Sequence, residues 1–416
     1  MTGPTILLPA LRSAAHFSIL MLAVFFLGST ALQAQTEHIL HSFTGSRGDG
    51  SGPQGLVVVD QAANVYGSTP YGANRGGICA ALGGCGMVFR AVNRNGAFVY
   101  NPLYLFHGND GAQPYAGVVV GPNGVVYGTT LSGGGTGCGG NGCGVVFKLT
   151  PASMFCRMAF CSWDETVIYN PSGSGPSGFF STVMVDNAGN LYGESFSGGS
   201  FGSGTVYKLS PSGGGNYTET TLYSFTGGAD GGKPMSEVAI DAAGNIYGTA
   251  AFGGADGNGT VFKLVRSAGG YTFQLLYSFT GGADGAVPQG NVVLDRAGNL
   301  YGASGEGGGI FQITPSGTYT LIDTQAQSLQ APISIDAAGN LYGTTYGGGE
   351  RGDGSMFKDT YSGGGWTHNV ILSFDGANGG LPLSDVGFDA SGNMYVTSTA
   401  GGQGGQGQGT LVQVTP

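Results

Sequence analysis

The chain has 416 residues, of which 85 are glycine and only 9% are charged. The 17 prolines without a strict G-X-Y period exclude a collagen, and evenly spaced runs of Val, Leu, Ile, Phe and Tyr exclude a disordered chain. The formal net charge is −10 and no run of Lys or Arg occurs, so a nucleic-acid partner is not expected.

The first 34 residues predict a signal peptide. Arg12 supplies a positively charged start, residues 17–32 form an uncharged apolar stretch, and small residues precede a cleavage site after Ala34. The stretch of about 16 apolar residues is shorter than the ~20 that cross a bilayer. We therefore expect a secreted, periplasmic or cell-surface protein, with no membrane span after cleavage.

One segment recurs seven times: an apolar run, Asp, two linker residues, Gly-Asn, an aliphatic residue and Tyr-Gly. The clearest copies lie at 185–193, 240–248, 294–302 and 335–343, and the weaker ones at 59–67, 120–128 and 388–396. Each copy predicts a β-hairpin, because Asp bonds its own backbone in tight turns and Gly or Asn accepts a positive φ. Only 41 residues separate Tyr301 from Tyr342 (342 − 301), so we expect a shortened loop or a missing outer strand there.

Each unit contains four strand-like runs, here named A to D from the inside outwards. In the fourth unit they lie at 237–241, 245–250, 259–264 and 271–279. Seven such units predict an all-β, seven-bladed β-propeller of four-stranded antiparallel blades, formed by a single domain over residues 35–416. Residues 37–43 match run D, whereas the chain finishes with runs A, B and C, so we expect the N-terminal strand to complete the last blade.

The units resemble the Gloeobacter–Verrucomicrobia (GloVer) tandem repeat of exported bacterial proteins. The resemblance rests on L-Y-S-F-T-G-G-A-D-G at 222–231 and 276–285, and on the G-N-L-Y-G and G-T-V-F-K-L segments. It implies a secreted or surface protein, without an agreed biochemical activity. The A–B hairpin is more distantly similar to NHL, gluconolactonase-like and streptogramin-lyase-like propellers.

The six cysteines are consistent with export. Their proximity favours three local disulfides, although six cysteines allow 15 pairings. A zinc site is the alternative, but the usual C-x2-C spacing is absent. The expected pairs are Cys79/Cys85, Cys138/Cys143 and Cys156/Cys161.

The D–A and B–C loops of an antiparallel blade emerge on one face, and here they are the long and variable loops. Binding surfaces usually lie on such loops, so we place any binding surface on this face. Four loop aspartates recur there and suit either calcium binding or simple turn formation. They are Asp49, Asp110, Asp230 and Asp284.

The position four residues before the hairpin Asp lies at the mouth of the central channel. Glu237, Asn291 and Asp385 are the polar exceptions at this position. Gluconolactonase-like propellers hold a divalent cation with a Glu/Asn/Asp set, so the resemblance implies that these three residues are metal ligands. The alternative is ordinary variation where a strand begins at a solvated rim.

Three functions follow from these observations. The first is a non-enzymatic binding module that uses the D–A/B–C face, with an unknown glycan, envelope component or protein as its partner. The second is a metal-dependent hydrolase or lyase that uses the central channel, and the third is a structural surface or matrix protein. The only cofactor that these alternatives require is a divalent cation such as Ca²⁺.

Overall fold

Seven four-stranded antiparallel sheets, one for each sequence repeat, form the blades of a β-propeller. The computed structural model describes residues 35–151, 163–172, 175–326, 328–403 and 407–416. The predicted signal peptide and Cys156 and Cys161 lie outside these residues. The described residues from Gln35 to Pro416 belong to one compact unit.

The described residues form thirty strands. The chain begins with β1 (Thr36–Ser42) and β2 (Gly50–Ser51), and continues through blade 1 with β3 (Val58–Val59), β4 (Val65–Thr69), β5 (Tyr71–Gly72), β6 (Met87–Arg94) and β7 (Ala97–Leu105). Blade 2 contains β8 (Val118–Val120), β9 (Val126–Thr129), β10 (Val146–Thr150) and β11 (Asp164–Tyr169). Blade 3 contains β12 (Met184–Val185), β13 (Leu191–Ser195), β14 (Thr205–Gly213) and β15 (Asn216–Ser224).

The second half of the ring repeats this order. Blade 4 contains β16 (Ala239–Ile240), β17 (Ile246–Ala250), β18 (Thr260–Ser267) and β19 (Gly270–Ser278). Blade 5 contains β20 (Val292–Leu294), β21 (Leu300–Ala303), β22 (Ile310–Ile313) and β23 (Tyr319–Asp323). Blade 6 contains β24 (Ser334–Ile335), β25 (Leu341–Thr345), β26 (Ser355–Ser362) and β27 (Gly365–Ser373). Blade 7 contains β28 (Gly387–Phe388), β29 (Met394–Ser398) and β30 (Thr410–Thr415).

Short elements lie in the loops between these strands. β2 and β5 form a separate two-stranded sheet outside the seven blades. Three short 3₁₀ helices occupy Gly77–Ala80, Pro122–Gly124 and Cys138–Gly140. No helix in the part of the chain that the structure describes is long and apolar enough to cross a membrane.

The repeated hairpin signature forms one hydrogen-bonded turn. In blade 4, Asp241 Oδ1 accepts the backbone N–H groups of Ala243 and Asn245, both at 2.9 Å. Asp241 Oδ2 accepts the Asn245 amide at 2.7 Å and the Tyr247 hydroxyl at 3.0 Å. The Asp, Asn and Tyr of the repeat therefore recur together because they close the same A–B turn.

The core lies between neighbouring blades, with Phe262 and Leu264 of blade 4 packed in one cluster with Tyr192 and Val206 of blade 3. The Gly of each Tyr-Gly pair makes this packing possible. A Cβ at Gly248 would lie 2.7 Å from Cζ of Phe262, closer than carbon atoms approach. Burial of each such phenylalanine contributes about 1.5–3 kcal/mol, which explains the repetition of both residue types.

The predicted ring closure is confirmed. β1 pairs antiparallel with β30, from Thr36 opposite Thr415 to Ser42 opposite Thr410, and so provides the outer strand of blade 7. Blade 5 keeps all four strands, but β22 has only four residues and β23 five. The short spacing between the fifth and sixth units therefore reflects shortened strands and loops.

The D–A and B–C loops of a blade meet through short backbone bridges. Gly232 pairs with Phe252 in blade 4, and Ala286 pairs with Glu306 in blade 5. These bridges bring both kinds of loop to the same face of the ring, which we call the loop face.

Candidate functional site

A cavity of about 280 Å³ lies on the loop face, where the innermost strands begin around the central channel. Seven of its lining residues occupy one repeat position, six residues before the hairpin Asp or, in blade 2, before Gly121. We call this set the mouth ring, and each blade supplies one member. The mouth ring consists of Gln54, Tyr115, Phe180, Met235, Gln289, Gln330 and Leu383.

The mouth ring has an apolar side and an amide side. Tyr115, Phe180 and Met235 come from the consecutive blades 2, 3 and 4. The three glutamines come from blades 5, 6 and 1, and Leu383 of blade 7 lies between the last two. The Tyr115 and Phe180 ring centroids are 6.4 Å apart, and the Tyr115 hydroxyl bonds that of Tyr71. A ligand in this cavity would contact an aromatic surface, fixed by the Tyr115–Tyr71 hydrogen bond, on one side and amide donors and acceptors on the other.

Two buried hydroxyl groups lie next to the mouth ring. Ser181 and Thr182 line the cavity and are 6% and 1% exposed. Neither Ser181 Oγ nor Thr182 Oγ1 has a hydrogen-bond partner among the described residues. Buried polar atoms normally find a partner in protein, water or ligand, so this wall is suited to a polar ligand.

Two of the three sequence-predicted metal ligands interact electrostatically in the channel. Glu237 lines the cavity, and burial together with repulsion from Asp385 raises the pKa of its carboxyl group to about 8. Burial also raises the pKa of Asp385 to about 7, although the carboxyl group accepts the backbone N–H of Val57 at 2.8 Å. Both groups therefore carry a proton for part of the time near neutral pH.

Asp385 and Asn291 make the same contact at different blade junctions. Asp385 Oδ1 binds the N–H of Val57 in blade 1, and Asn291 Oδ1 binds the N–H of Ile333 in blade 6, each at 2.8 Å. These oxygens join neighbouring innermost strands. The assignment of Glu237, Asn291 and Asp385 as metal ligands stays a prediction.

The four loop aspartates do not converge, because each stays within its own D–A loop. Asp230 Oδ2 accepts the N–H of Thr226 at 2.9 Å and the Tyr223 hydroxyl at 2.8 Å. Corresponding backbone and tyrosine contacts hold Asp110 and Asp284. Asp49 accepts the N–H of Thr44 and the hydroxyl of Tyr100, which lies in the outer strand of blade 1. This arrangement suits turn formation, and calcium binding at Asp49, Asp110, Asp230 and Asp284 stays a prediction.

Two of the three expected disulfides are confirmed, and both lie in loop-face B–C loops. Cys79 bonds Cys85 in blade 1, and Cys138 bonds Cys143 in blade 2. The first bridge is fully buried in a core cluster, whereas Cys138 is exposed.

Sequence analysis missed a buried acid behind the cavity wall. Glu194 is 1% exposed, and its Oε1 has no hydrogen-bond partner among the described residues. Ser236, a cavity-lining residue, donates to Glu194 Oε2 at 3.3 Å. Burial raises the pKa of Glu194 well above its ordinary value. The signal was available, because the equivalent residue in five other blades is serine or threonine, namely Ser68, Thr129, Thr249, Thr344 and Thr397.

A second missed group lies away from the channel, between blades 5 and 6. His368 Nδ1 is 2.8 Å from Asp359 Oδ1 and 3.0 Å from Asp323 Oδ2. Burial opposes protonation of the imidazole, but the two carboxylates outweigh it and raise the pKa of His368 to about 9.

One known repeat family matches the central part of the chain. Residues 139–328 match the family described as Gloeobacter/Verrucomicrobia repeat. No curated protein matches the chain.

Solved structures share the propeller architecture at low sequence identity. A streptogramin B lyase structure is 13% identical with a TM-score of 0.58, over 92% of this chain and 97% of the other. A catalytically inactive virginiamycin B lyase from Staphylococcus aureus with quinupristin is 16% identical with a TM-score of 0.56, over 92% and 99%. A putative 6-phosphogluconolactonase from Bacteroides fragilis is 14% identical with a TM-score of 0.50, over 80% and 86%. At these identities the likeness shows the fold alone.

Proposed function

We propose that this propeller, whose residues 139–328 carry the Gloeobacter/Verrucomicrobia repeat, is an exported binding protein that holds a small, hydroxyl-rich ligand at the mouth of its channel. The expected signal peptide and the two disulfides support export, because disulfides persist in oxidising compartments. The observation that carries the binding role is the division of the mouth ring into an apolar side and an amide side.

The chemistry of the cavity favours a neutral saccharide. A sugar ring has C–H faces that pack on aromatic surfaces such as Tyr115 and Phe180, and hydroxyl groups that both donate and accept hydrogen bonds. The amides of Gln54, Gln289 and Gln330 match such hydroxyl groups, as do the unpartnered hydroxyls of Ser181 and Thr182. The volume of about 280 Å³ lies near the lower end of ligand pockets, which suits one sugar unit.

Calorimetric titration of the purified protein with neutral mono- and oligosaccharides tests this proposal. We expect saturable binding that Gln289→Leu weakens at least tenfold, because the variant loses an amide that bonds sugar hydroxyl groups. The variant should fold, because Leu383 shows that the ring accommodates leucine. Gln274→Leu, on an exposed part of the outer strand of blade 4, is the matched control and leaves the affinity unchanged. Absence of binding by every saccharide, or equal binding by both variants, contradicts the proposal.

The second candidate is a hydrolase or lyase that acts in the channel. It is favoured by the pair of carboxyl groups of Glu237 and Asp385, since paired acids perform general acid–base catalysis. The fold relatives with TM-scores of 0.58 and 0.56 are described as lyases, and the one at 0.50 as a putative lactonase.

Turnover of lactone and cyclic-ester substrates distinguishes the two candidates. Catalysis predicts that Glu237→Gln abolishes turnover, whereas a binding protein shows no turnover in either form. The metal-dependent version also predicts that Glu237→Ala binds one divalent ion per chain fewer than the wild type. An equal metal content in the two proteins contradicts that version.

A further inference from the structure

Three side chains capable of binding a metal meet at the junction of blades 5 and 6. Asp323 ends β23, while Asp359 in β26 and His368 in β27 stand opposite each other in the blade 6 ladder. One ligand atom from each residue lies within 4.8 Å of the other two. This separation is only slightly wider than two zinc–oxygen bonds of about 2.0–2.2 Å placed end to end, so small side-chain rotations bring all three onto one ion.

The repeat shows that these residues replace a standard core. Asp359 is fully buried at a position that is aliphatic and buried in each of the other six blades. The equivalents are Ala91, Leu149, Leu209, Leu264, Ile313 and Val414. Asp323 likewise stands at a position that is tyrosine in blades 1 to 4, leucine in blade 6 and histidine in blade 7. Two acids and a histidine have therefore been introduced together at one of the seven blade junctions.

The protein alone does not satisfy this cluster. Asp323 receives the N–H of Gln325 at 2.7 Å and of Ala326 at 3.2 Å. Asp359 Oδ1 contacts His368, but Asp359 Oδ2 has no hydrogen-bond partner among the described residues. Two carboxylates beside one imidazole leave an excess negative charge even when the imidazole is protonated. An uncompensated buried charge is costly, and a bound cation removes that cost.

We propose that Asp323, Asp359 and His368 form a structural site for a divalent transition-metal ion of the zinc class, which joins blades 5 and 6. The donor set selects this class, because imidazole nitrogen suits zinc and its neighbours in the first transition row, whereas calcium and magnesium prefer oxygen ligands alone. His368 Nδ1, the atom that faces both carboxylates, provides the nitrogen ligand, and Asp359 Oδ2 gains a partner.

Zinc titration of the tag-free, chelator-treated protein tests the site, with the melting temperature and the bound metal per chain as readouts. We expect one zinc ion per chain, a melting temperature that rises with zinc, and a cobalt complex with visible absorption. Asp359→Leu removes one of the proposed ligands. We expect the variant to fold, because leucine occupies the equivalent position in blades 2, 3 and 4. We expect it to lose the ion and the zinc-dependent rise in melting temperature.

The control is His41→Gln, which alters a histidine that contacts the single carboxylate of Asp49 at 3.2 Å. We expect this variant to bind zinc as the unmodified protein does. Zinc that stays bound in Asp359→Leu, or a wild-type protein that binds neither zinc nor cobalt, overturns the proposal. In the latter case the protein accommodates the cluster without a metal ion.

Discussion

Asp385 accepts the backbone N–H of Val57 at 2.8 Å, although 328 residues separate them in the chain. The bond joins the innermost strands of blades 7 and 1, across the junction where the ring closes. Asp385→Ala leaves the buried N–H of Val57 without an acceptor, so we expect a loss of about 1–3 kcal/mol in the free energy of unfolding. Urea denaturation at pH 6 measures this loss. Asp385→Asn keeps the acceptor, as Asn291 does at its own junction, and an equal loss in both variants contradicts this explanation.

The same carboxyl group predicts a pH dependence. Its folded-state pKa of about 7 is above the ordinary value of 3.8, so the folded protein binds the proton more tightly than the unfolded chain. Its contribution to stability is therefore present at low pH and is lost as the pH rises from about 4 through 7. The asparagine side chain of Asp385→Asn does not titrate. We therefore expect the melting temperature of the variant minus that of the wild type to increase as the pH rises across this window. Parallel pH profiles of the two proteins rule out this assignment.

Glu194 is a site where a substitution should stabilise the protein. In blades 2 and 6 the equivalent threonine donates to a backbone carbonyl of the next blade, as Thr129 does to Ser181 and Thr344 to Ser384. Glu194→Thr replaces a buried, incompletely bonded carboxyl group with such a donor, so we expect a higher melting temperature. The gain should be larger at pH 8 than at pH 5, because the raised pKa of Glu194 makes its ionisation in the folded state increasingly costly. A lower melting temperature for the variant at both pH values would contradict this prediction.

The loop aspartates should stabilise the fold through their hydrogen bonds, even when no calcium is present. Asp230→Ala removes the acceptor for the Thr226 N–H and the Tyr223 hydroxyl, so we expect it to lower the melting temperature. Tyr223→Phe removes one of these hydrogen bonds, so we expect a smaller loss of about 0.5–1.5 kcal/mol. Asp256→Ala, at an exposed loop position, is the control. Calcium that raises the melting temperature of wild type but not of Asp230→Ala would instead identify Asp230 as a calcium ligand.

The two disulfides should differ in importance. Cys79 and Cys85 are fully buried and pack in the cluster that contains Phe106, whereas Cys138 is exposed. We expect the double change of Cys79 and Cys85 to alanine to lower the melting temperature more than the same change at Cys138 and Cys143, because only the first also removes core packing. Thermal denaturation compares the variants, and an equal decrease in both shows that the covalent constraint alone matters.

Peptide mapping under non-reducing conditions tests the expected Cys156–Cys161 pair.

The blades were predictable because their signals are local and repeated. In six of the seven hairpins the Asp, Asn and Tyr lie within seven residues. Their contacts follow directly from that spacing, as Asp241, Asn245 and Tyr247 show. Ring closure was also accessible, since the run at 37–43 has the pattern of an outer strand.

The sites were less predictable because they depend on side-chain direction and on contacts between blades. The sequence positions of Asn291 and Asp385 predicted that both residues lie at the channel. They did not predict that the side-chain oxygens accept backbone N–H groups of the neighbouring strands. His368 meets Asp323 only because blades 5 and 6 pack together, and a single repeat contains no sign of that contact. Alignment of the seven units does mark Asp359 as an exception, although it does not reveal which partners surround it.

The pairing of β1 with β30 has a consequence for the order of events during synthesis. A ribosome produces residues 36–42 long before residues 410–415, so β1 exists for most of synthesis without its partner strand. Contacts over such a sequence distance form late and slowly, and unpaired strand edges can associate with other chains in the meantime. Nascent chains stopped before β30 should therefore remain open to proteases and chaperones, and release of the complete chain should be followed by a distinct closing step.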